Sequence, residues 1–185
     1  SKMPGYAYNL PATECNVGAK LVQVPGSVCH GCYALKGRYR FPNVKEAMHR
    51  RLKSIDGPLW VETMAADINA RKSKYFRWHD SGDIQSLAHL KKIFDVCKLT
   101  PDVAHWIPTR ESGILSKLGP EEVPANLTIR LSATMVDGNA PKSWPLTSTV
   151  VTEGASCPAP KQGNECKSCR NCWDQSIKNI AYGKH

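Results

Sequence analysis

The chain has 185 residues, of which 41% are apolar and 22% charged, a balance typical of a globular protein and not of a disordered or fibrous one. Its length fits one domain and falls short of the roughly 250 residues of a complete eight-stranded β/α barrel. The net charge is +9, and residues 1–100 carry +8 of it, which indicates either an anionic partner such as nucleic acid or a basic, soluble surface.

No run of about 18 apolar residues and no charged-then-apolar leader occurs in the sequence. We therefore expect no membrane partner. A single domain is expected over residues 1–185. It would comprise a cysteine-containing loop region (1–42), an α/β core (43–152), and a C-terminal cysteine cluster with a closing helix (153–185).

The first 42 residues are rich in proline and glycine, which favours loops, with one short strand expected at 20–24. A helix is predicted from Asn43, because Glu46 three residues later gives a capping-box pattern. A second helix is predicted from Pro58, since proline suits the first turn of a helix. Apolar residues in both segments recur at helical spacing.

Strands and helices then alternate along the chain. The predicted strands are 75–78, 103–108, 127–131 and 148–152. The predicted helices are 87–97, 114–118 and 173–182, the last one ending at Gly183. Such alternation is typical of crossover connections, so the sequence predicts an α/β fold with a mostly parallel sheet, forming an open or partial β/α barrel of about five strands.

Polar residues follow several of these strands. Because right-handed crossovers bring the carboxyl ends of parallel strands to one edge, we expect a functional site there. The residues at this edge are His79, Asp80, Ser81, Gly82 and Asp83; Thr109, Arg110 and Glu111; Ser132 and Thr134; and Glu153.

Three of these residues are candidate catalytic groups. His79 and Asp80 would transfer protons or contact substrate; helix capping is the alternative for Asp80 and for Asp83. Arg110 would clamp an anionic substrate, because a guanidinium matches phosphate and carboxylate geometry. A surface ion pair is the alternative for Arg110.

Eight cysteines are too many for incidental core packing. Cys97 lies on the apolar face of a predicted helix and is interpreted as a packed core thiol. The other seven form an N-terminal group and a C-terminal group. The N-terminal group is Cys15, Cys29 and Cys32, and the C-terminal group is Cys157, Cys166, Cys169 and Cys172.

Three chemistries compete for these groups. Disulfides are disfavoured, because the chain can build a core and shows no secretion signal. Zinc would suit the four C-terminal cysteines. The Cys-x-x-Cys-x-x-Cys run at 166–172 favours a [4Fe–4S] cluster instead. Three N-terminal thiolates would leave one iron of a cubane open to a ligand; His30 completing a zinc site, or an incidental Cys15, is the alternative.

Three stretches resemble the bacteriophage gene product 88 family. They are Cys15 with 26–37 (GSVCHGCYALKG), residues 77–83 (RWHDSGD), and the tail from Cys157-Pro158-Ala159 to Cys172-Trp173. The resemblance covers nearly the whole chain. It implies a viral protein in the cytoplasm of an infected host cell, and it brings no established activity.

The Ser-x-Cys-x-x-Cys-Tyr-Ala signature at 27–34 resembles, more distantly, the radical S-adenosylmethionine enzymes. This resemblance implies a partial α/β barrel and a [4Fe–4S] cluster on three cysteines. S-adenosylmethionine would bind the fourth iron, and an electron donor would be needed.

The same resemblance implies roles for further residues. Ser81, Gly82 and Asp83 are similar to the segment that grips the methionine amine. Arg130 and Ser132 stand where ribose or carboxylate contacts occur. The C-terminal cysteines are similar to an auxiliary cluster, so the chain would hold one or two clusters.

The chain also departs from that superfamily. Thirteen residues separate Cys15 from Cys29, where three are usual, and the acidic residue Asp83 is one methylene shorter. A non-catalytic phage protein, stapled by metal and binding nucleic acid or a host protein, is therefore the alternative function.

Two further interpretations concern nucleic acid. A metal-dependent nuclease using Asp80, Asp83 and Glu111 is a weaker alternative. Tyr33, Tyr39 and Phe41 alternate with basic residues, as a base-stacking groove would need, although solvated helix faces would give the same pattern.

Overall fold

The computed structural model describes residues 3–184, which form six strands and five α-helices joined by loops and short 3₁₀ turns. The strands are β1 (Tyr6–Tyr8), β2 (Tyr75–Trp78), β3 (Ala104–Thr109), β4 (Leu127–Val136), β5 (Thr147–Val151) and β6 (Asn179–Gly183). The helices are α1 (Asn16–Leu21), α2 (Pro42–Ser54), α3 (Trp60–Ala70), α4 (Leu87–Leu99) and α5 (Ser112–Leu115). None of these helices is long and apolar enough to cross a membrane.

All six strands lie parallel in one open sheet, and their order in space is their order in the chain. Parallel neighbours need crossover connections, and right-handed crossovers in chain order keep the helices on one face. The predicted α/β class and parallel sheet are confirmed, with six strands where about five were expected.

The main hydrophobic core lies between the helices and one face of the sheet. Alternate strand residues supply it, because successive side chains point to opposite faces. From the sheet come Phe76, Trp78, Ile107, Leu127, Ile129 and Leu131; from the helices come Trp60, Met64, Ile68, Leu90, Ile93 and Cys97. Cys97 is fully buried in this core, as predicted.

The second face of the sheet is covered by the C-terminal segment between β5 and β6. Trp173 packs edge-on against Trp106 of β3 and Tyr75 of β2, with ring centroids 5.2 and 5.3 Å apart. Its indole nitrogen donates to the Phe76 carbonyl at 3.1 Å, and the Thr128 hydroxyl donates to the Trp173 carbonyl at 2.8 Å. The cysteine-rich tail is therefore fixed to the middle of the sheet.

Two predictions about the ends of the chain are wrong. Residues 173–182 do not form a closing helix: a 3₁₀ turn spans Asn171–Trp173, and β6 follows. Pairing decides this outcome, because β6 completes a five-residue register with β5. The strand expected at 20–24 is also wrong, since α1 covers part of it.

Smaller differences concern the start of the sheet and of α2. Strand β1 was not predicted; it is only three residues long and gains its hydrogen bonds from β2. Helix α2 begins at Pro42, and Phe41 occupies its N-cap without a side-chain hydrogen bond, so the predicted capping box is absent.

Candidate functional site

The loop after β1 is fixed to the loop after β2 by reciprocal contacts. The Leu10 amide donates to the Ser81 carbonyl at 3.0 Å, and the Ser81 hydroxyl donates to the Leu10 carbonyl at 2.9 Å. Gly82 has φ +78°, and a Cβ there would lie 2.5 Å from the Leu10 Cβ. Only glycine fits this approach. Ser81 and Gly82 thus set the path of the chain toward Cys15.

The second cysteine-bearing loop is fixed to the far end of β4. Ser27 forms an antiparallel bridge with Met135, and the Val28 amide donates to the Thr134 carbonyl at 2.9 Å. The loop that contains Cys29 and Cys32 is thereby held at the carboxyl edge of the sheet. This is the edge at which the sequence predicts a site.

The N-terminal thiols converge beside Gly18 in α1. A Cβ on Gly18 would lie 3.5 Å from the Cys15 sulfur and 3.7 Å from the Cys29 sulfur. Any side chain there would fill the space between the two thiols. The Cys32 thiol is close enough to both to raise the pKa of each. The structure thus brings the three predicted N-terminal ligands together.

Two acidic residues lie beside these thiols. Asp83 accepts hydrogen bonds from the Ile84 amide at 2.8 Å and the Arg110 amide at 2.9 Å. Glu111 accepts from the Val17 amide at 3.0 Å, in the first turn of α1. Both carboxyl groups are buried, and burial raises the pKa of Asp83 to about 6. Neither Asp80 nor Asp83 caps α4, whose N-cap is Ser86.

Burial and neighbouring negative charge together disfavour thiolates at this site. Burial, and next Asp83, raise the pKa of Cys15 to about 12. Burial also raises the pKa of Cys29, whereas the Arg110 guanidinium lowers it. The Arg110 side chain donates to the Ala133 carbonyl at 3.3 Å and forms no ion pair within residues 3–184. Positive charge supplied by a metal would stabilise the thiolate forms.

The three N-terminal thiols are not grouped around a single point. Within residues 3–184 no three Cys, His, Asp or Glu side chains are grouped so that they could hold one metal ion. The thiolates of a cubane bind different irons, so they surround a volume and do not converge on a point.

The C-terminal thiols surround a second space. All four cysteines line one pocket of ≈ 330 Å³, mouth included, and the Pro158, Trp173 and Ile180 side chains complete its wall. The pocket-lining cysteines are Cys157, Cys166, Cys169 and Cys172. Burial raises the pKa of Cys172 to about 11, and the Tyr182 hydroxyl, 3.1 Å from its sulfur, counteracts that rise. The four C-terminal thiols therefore lie around one pocket.

Arg130 holds this segment in place. Its buried guanidinium donates to four carbonyls of the loop, at 2.6 to 3.1 Å. They belong to Asn171, Cys172, Asp174 and Ile177. Arg130, which the resemblance assigned to a cofactor contact, therefore uses these donors to bind the C-terminal segment. The resemblance assigned Ser132 to a cofactor contact as well. Its hydroxyl lies 2.9 Å from the Ser148 hydroxyl.

His79 lies in the core on the helix side of the sheet. It is 2% exposed with φ +65°, and its ring stacks edge-on against Tyr8 and His89. Neither ring nitrogen has a hydrogen-bond partner within residues 3–184. Burial holds the pKa of His79 well below 6.5. The ring therefore has the surroundings of a neutral core side chain.

Asp80, by contrast, borders the N-terminal thiols. Its carboxylate pairs with Arg77 at 2.9 Å, and its carbonyl accepts the hydroxyl of Tyr33, the residue after Cys32. Asp80 is thus the predicted catalytic carboxylate that remains partly accessible beside the site. Its amide donates to the Asn9 side chain at 2.8 Å, which further secures the loop after β1.

Sequence reasoning missed Arg77 and Gly18. Arg77 points to the second face of the sheet, with its guanidinium 4.6 Å above the Trp106 ring. Burial raises the pKa of Cys166 and Cys172, and the charge of Arg77 opposes that rise. The alternation of β2, with Phe76 and Trp78 facing the helices, is the signal that could have found it. Nothing in the sequence marks Gly18, because its role depends on two distant sulfurs.

Three comparisons with known proteins gave one match. No curated protein and no solved structure matches the chain. The model of the family described as Gene product 88 matches residues 1–145, which include β1 to β4 and the N-terminal thiols. As this match covers most of its length, the chain belongs to the Gene product 88 family.

Proposed function

We propose that this chain is an iron–sulfur protein with the chemistry of the radical S-adenosylmethionine enzymes. The observation that carries the proposal is the meeting of Cys15, Cys29 and Cys32 beside Asp83 and Arg110 at the carboxyl edge of the sheet. Six parallel strands in chain order also agree with a partial β/α barrel of the kind that this superfamily uses. The C-terminal thiols would hold a second cluster.

The residues around the N-terminal thiols suit the methionine end of the cofactor. Arg110 carries a guanidinium that fits a carboxylate, and Asp83 carries a carboxyl group that can accept from an ammonium. Asp83 accepts two backbone amides and the Thr109 hydroxyl, and its two oxygens together offer about four acceptor sites. When bound, a three-thiolate cluster would pass one electron from an external donor to the sulfonium, giving methionine and a 5′-deoxyadenosyl radical.

The charge around the C-terminal pocket supports a cluster there. Burial raises the pKa of Cys166 and Cys172; Arg77 counteracts part of the rise at both thiols, and Arg170 does so at Cys166. Arg130 is buried without a carboxylate partner within residues 3–184, so an anionic thiolate cluster nearby would balance its charge. The role would be structural or electron relay, and zinc is the alternative occupant.

Metal and sulfide content test this proposal first. Protein purified without oxygen should contain about eight irons and eight sulfides per chain, that is, two cubanes. Replacing Cys15, Cys29 and Cys32 with alanine should remove about half of each. Cys97→Ala, which removes a core thiol, should leave both contents unchanged. Zinc without sulfide would contradict the proposal and leave a metal-stapled protein.

Cofactor binding tests the open iron. Adding S-adenosylmethionine should change the electron paramagnetic resonance signal of the reduced cluster, and dithionite should then yield 5′-deoxyadenosine. Asp83→Asn and Arg110→Leu should weaken both responses while iron content stays the same. A reduced cluster that ignores S-adenosylmethionine would refute the radical chemistry.

A second candidate is a non-catalytic protein whose metal only stabilises its fold. The concentration of basic residues at 33–53 favours it, because binding of an anionic partner needs no chemistry. It predicts metal in the C-terminal site and no response to S-adenosylmethionine.

A further inference from the structure

We propose that the exposed surface of residues 33–53, here called the aromatic–basic surface, binds single-stranded nucleic acid and presents it to the N-terminal thiols. This inference rests on the proposed function for the role of the thiol site, since it names that site's substrate. Binding itself needs no cluster, so it can be measured whether or not the radical chemistry holds.

Charge is the first observation. Residues 33–53 contain seven Lys and Arg and one Glu, so they carry a net +6 of the chain's +9. All seven basic side chains are exposed. Within residues 3–184, only Arg50 of the seven forms an ion pair, with Glu46 at 2.8 Å. The other six are available to phosphates: Lys36, Arg38, Arg40, Lys45, Arg51 and Lys53.

Exposed aromatic rings are the second observation. Tyr33 and Phe41 are each 55% exposed, so part of each ring is open to a ligand. Tyr39 lies against Tyr33, with ring centroids 5.9 Å apart. Proteins that bind single-stranded nucleic acid combine aromatic rings with basic side chains, because the bases stack on the rings and the phosphates follow the positive charge. A duplex conceals the faces of its bases, so the rings favour a single strand.

Position is the third observation. The Tyr8 hydroxyl donates to the Arg51 carbonyl at 2.8 Å, and the Ser81 hydroxyl lies 3.4 Å from the Met48 sulfur. These contacts fix α2 above the carboxyl ends of β1 and β2. Tyr33 follows Cys32 directly and donates its hydroxyl to the Asp80 carbonyl. A nucleic-acid strand bound to the aromatic–basic surface would therefore reach the edge of the thiol site.

Fluorescence anisotropy with a labelled 15-nucleotide oligo(dT) tests the charge contribution. Arg51→Glu combined with Lys53→Glu should weaken binding at least tenfold. It should also make the dependence of affinity on salt less steep, by about 0.7 in log–log slope for each phosphate that is no longer neutralised. Lys91→Glu with Lys117→Glu is the matched control, since both lysines are exposed and outside this surface. Equally weakened binding in both double variants would overturn the proposal.

The stacking contribution is tested by Phe41→Ala. We expect a loss of affinity of roughly five- to 150-fold, the range for one stacked base. Leu99→Ala, at an exposed apolar residue on the helix side, should bind as the unchanged protein does. Affinity unaffected by Phe41→Ala, or duplex DNA bound as tightly as the single strand, would overturn the single-strand assignment.

One more measurement separates this inference from the proposed function. Protein freed of metal by a chelator should retain oligo(dT) binding. Retained binding without any response of the metal-loaded protein to S-adenosylmethionine would refute the radical chemistry alone. Binding that disappears on metal removal while the fold persists would overturn the aromatic–basic surface as the docking site.

Discussion

Gly82 has the left-handed φ of +78°, and the Leu10 backbone lies directly against its α-carbon. Gly18 has no side chain where two sulfurs meet. In both cases a missing Cβ leaves space that a neighbour uses. Glycine at these two positions therefore contributes to the site by the room that it leaves.

We expect Gly82→Ala to lower the free energy of unfolding by about 3 kcal/mol, from left-handed strain together with the clash against Leu10. Gly154→Ala is the matched control, because Gly154 has φ +73° and nothing within 4 Å of its Cβ position. That control should cost only about 1 kcal/mol. Urea unfolding measures both, and equal costs would contradict the close approach.

His105 carries a hydrogen-bond chain through the core. The Trp78 indole nitrogen donates to its Nδ1 at 3.2 Å, so Nε2 holds the proton and donates to the Thr100 hydroxyl at 2.8 Å. Thr100 in turn donates to the Val96 carbonyl at 2.7 Å. A second ring proton would face the Trp78 donor, so His105 must stay neutral.

Acid should therefore destabilise the fold. Burial lowers the pKa of His105 from 6.5 to about 4, so the unfolded chain binds more protons between these values. The contribution is complete above pH 6.5 and is lost as the pH falls toward 4, by about 2 kcal/mol at pH 5. Urea unfolding of metal-free protein at pH 7 and 5 should show this loss.

The matched variants identify the titrating group. His105→Gln should reduce the pH dependence between pH 7 and 5, whereas His49→Gln, at an exposed position on α2, should leave it unchanged. An unaltered dependence in His105→Gln would assign the acid sensitivity to another group. His89, whose pKa burial and then Lys92 lower to about 4, would be examined next.

At the scale of elements, the C-terminal segment depends on Arg130. A guanidinium presents five donors in a planar fork, which matches four carbonyls of this loop. The segment has little regular structure of its own. Its shape therefore follows from β4, an element some 40 residues earlier in the chain.

Arg130→Met should release this segment while the helix-side core persists, because each hydrogen bond lost from a charged donor costs about 1.5–3 kcal/mol. Trypsin should then cut faster after Lys161 and Lys167, and C-terminal metal should be lost. Arg130→Lys should give an intermediate effect, and Lys178→Met should give none. If Arg130→Met instead abolished only the response to S-adenosylmethionine, a cofactor contact would be the better account.

Strand β6 shows why local pattern failed at this scale. Its apolar residues occur at a spacing that a helix could also use, and Gly183 suits a helix end. The segment forms a strand because it pairs with the edge of β5 over five residues. The central strands β2 to β4 were predictable, because their apolar runs are distinct and flanked by turn residues.

For the whole molecule, the chain-order sheet brings two remote cysteine groups onto one scaffold. The N-terminal group lies at its carboxyl edge, and the C-terminal group covers its second face. Arg77 lies between them, since its charge affects the pKa of Tyr33 beside Cys32 and that of Cys166. One arginine thus acts on residues near both groups.

Metal loading should stabilise the folded chain, because a ligand that binds only the folded state adds its binding free energy to folding. We expect a higher Tm in metal-loaded than in chelated protein, and stronger hydrogen-exchange protection at 157–172. Replacing Cys166 and Cys169 with serine should abolish that protection, whereas Cys97→Ser should not. Identical exchange in loaded and chelated protein would contradict a metal at the C-terminal site.

The sequence by itself determined the parallel α/β class, the two cysteine groups and the edge of the sheet that carries Asp83 and Arg110. These follow from periodicity and from the rule that parallel strands share a carboxyl edge. Only the tertiary structure decided that His79 turns into the core, because the direction of a side chain after a strand depends on one local φ. It also decided that Arg130 binds the C-terminal loop and that Gly18 leaves room between two sulfurs, since both need partners that sequence spacing cannot place.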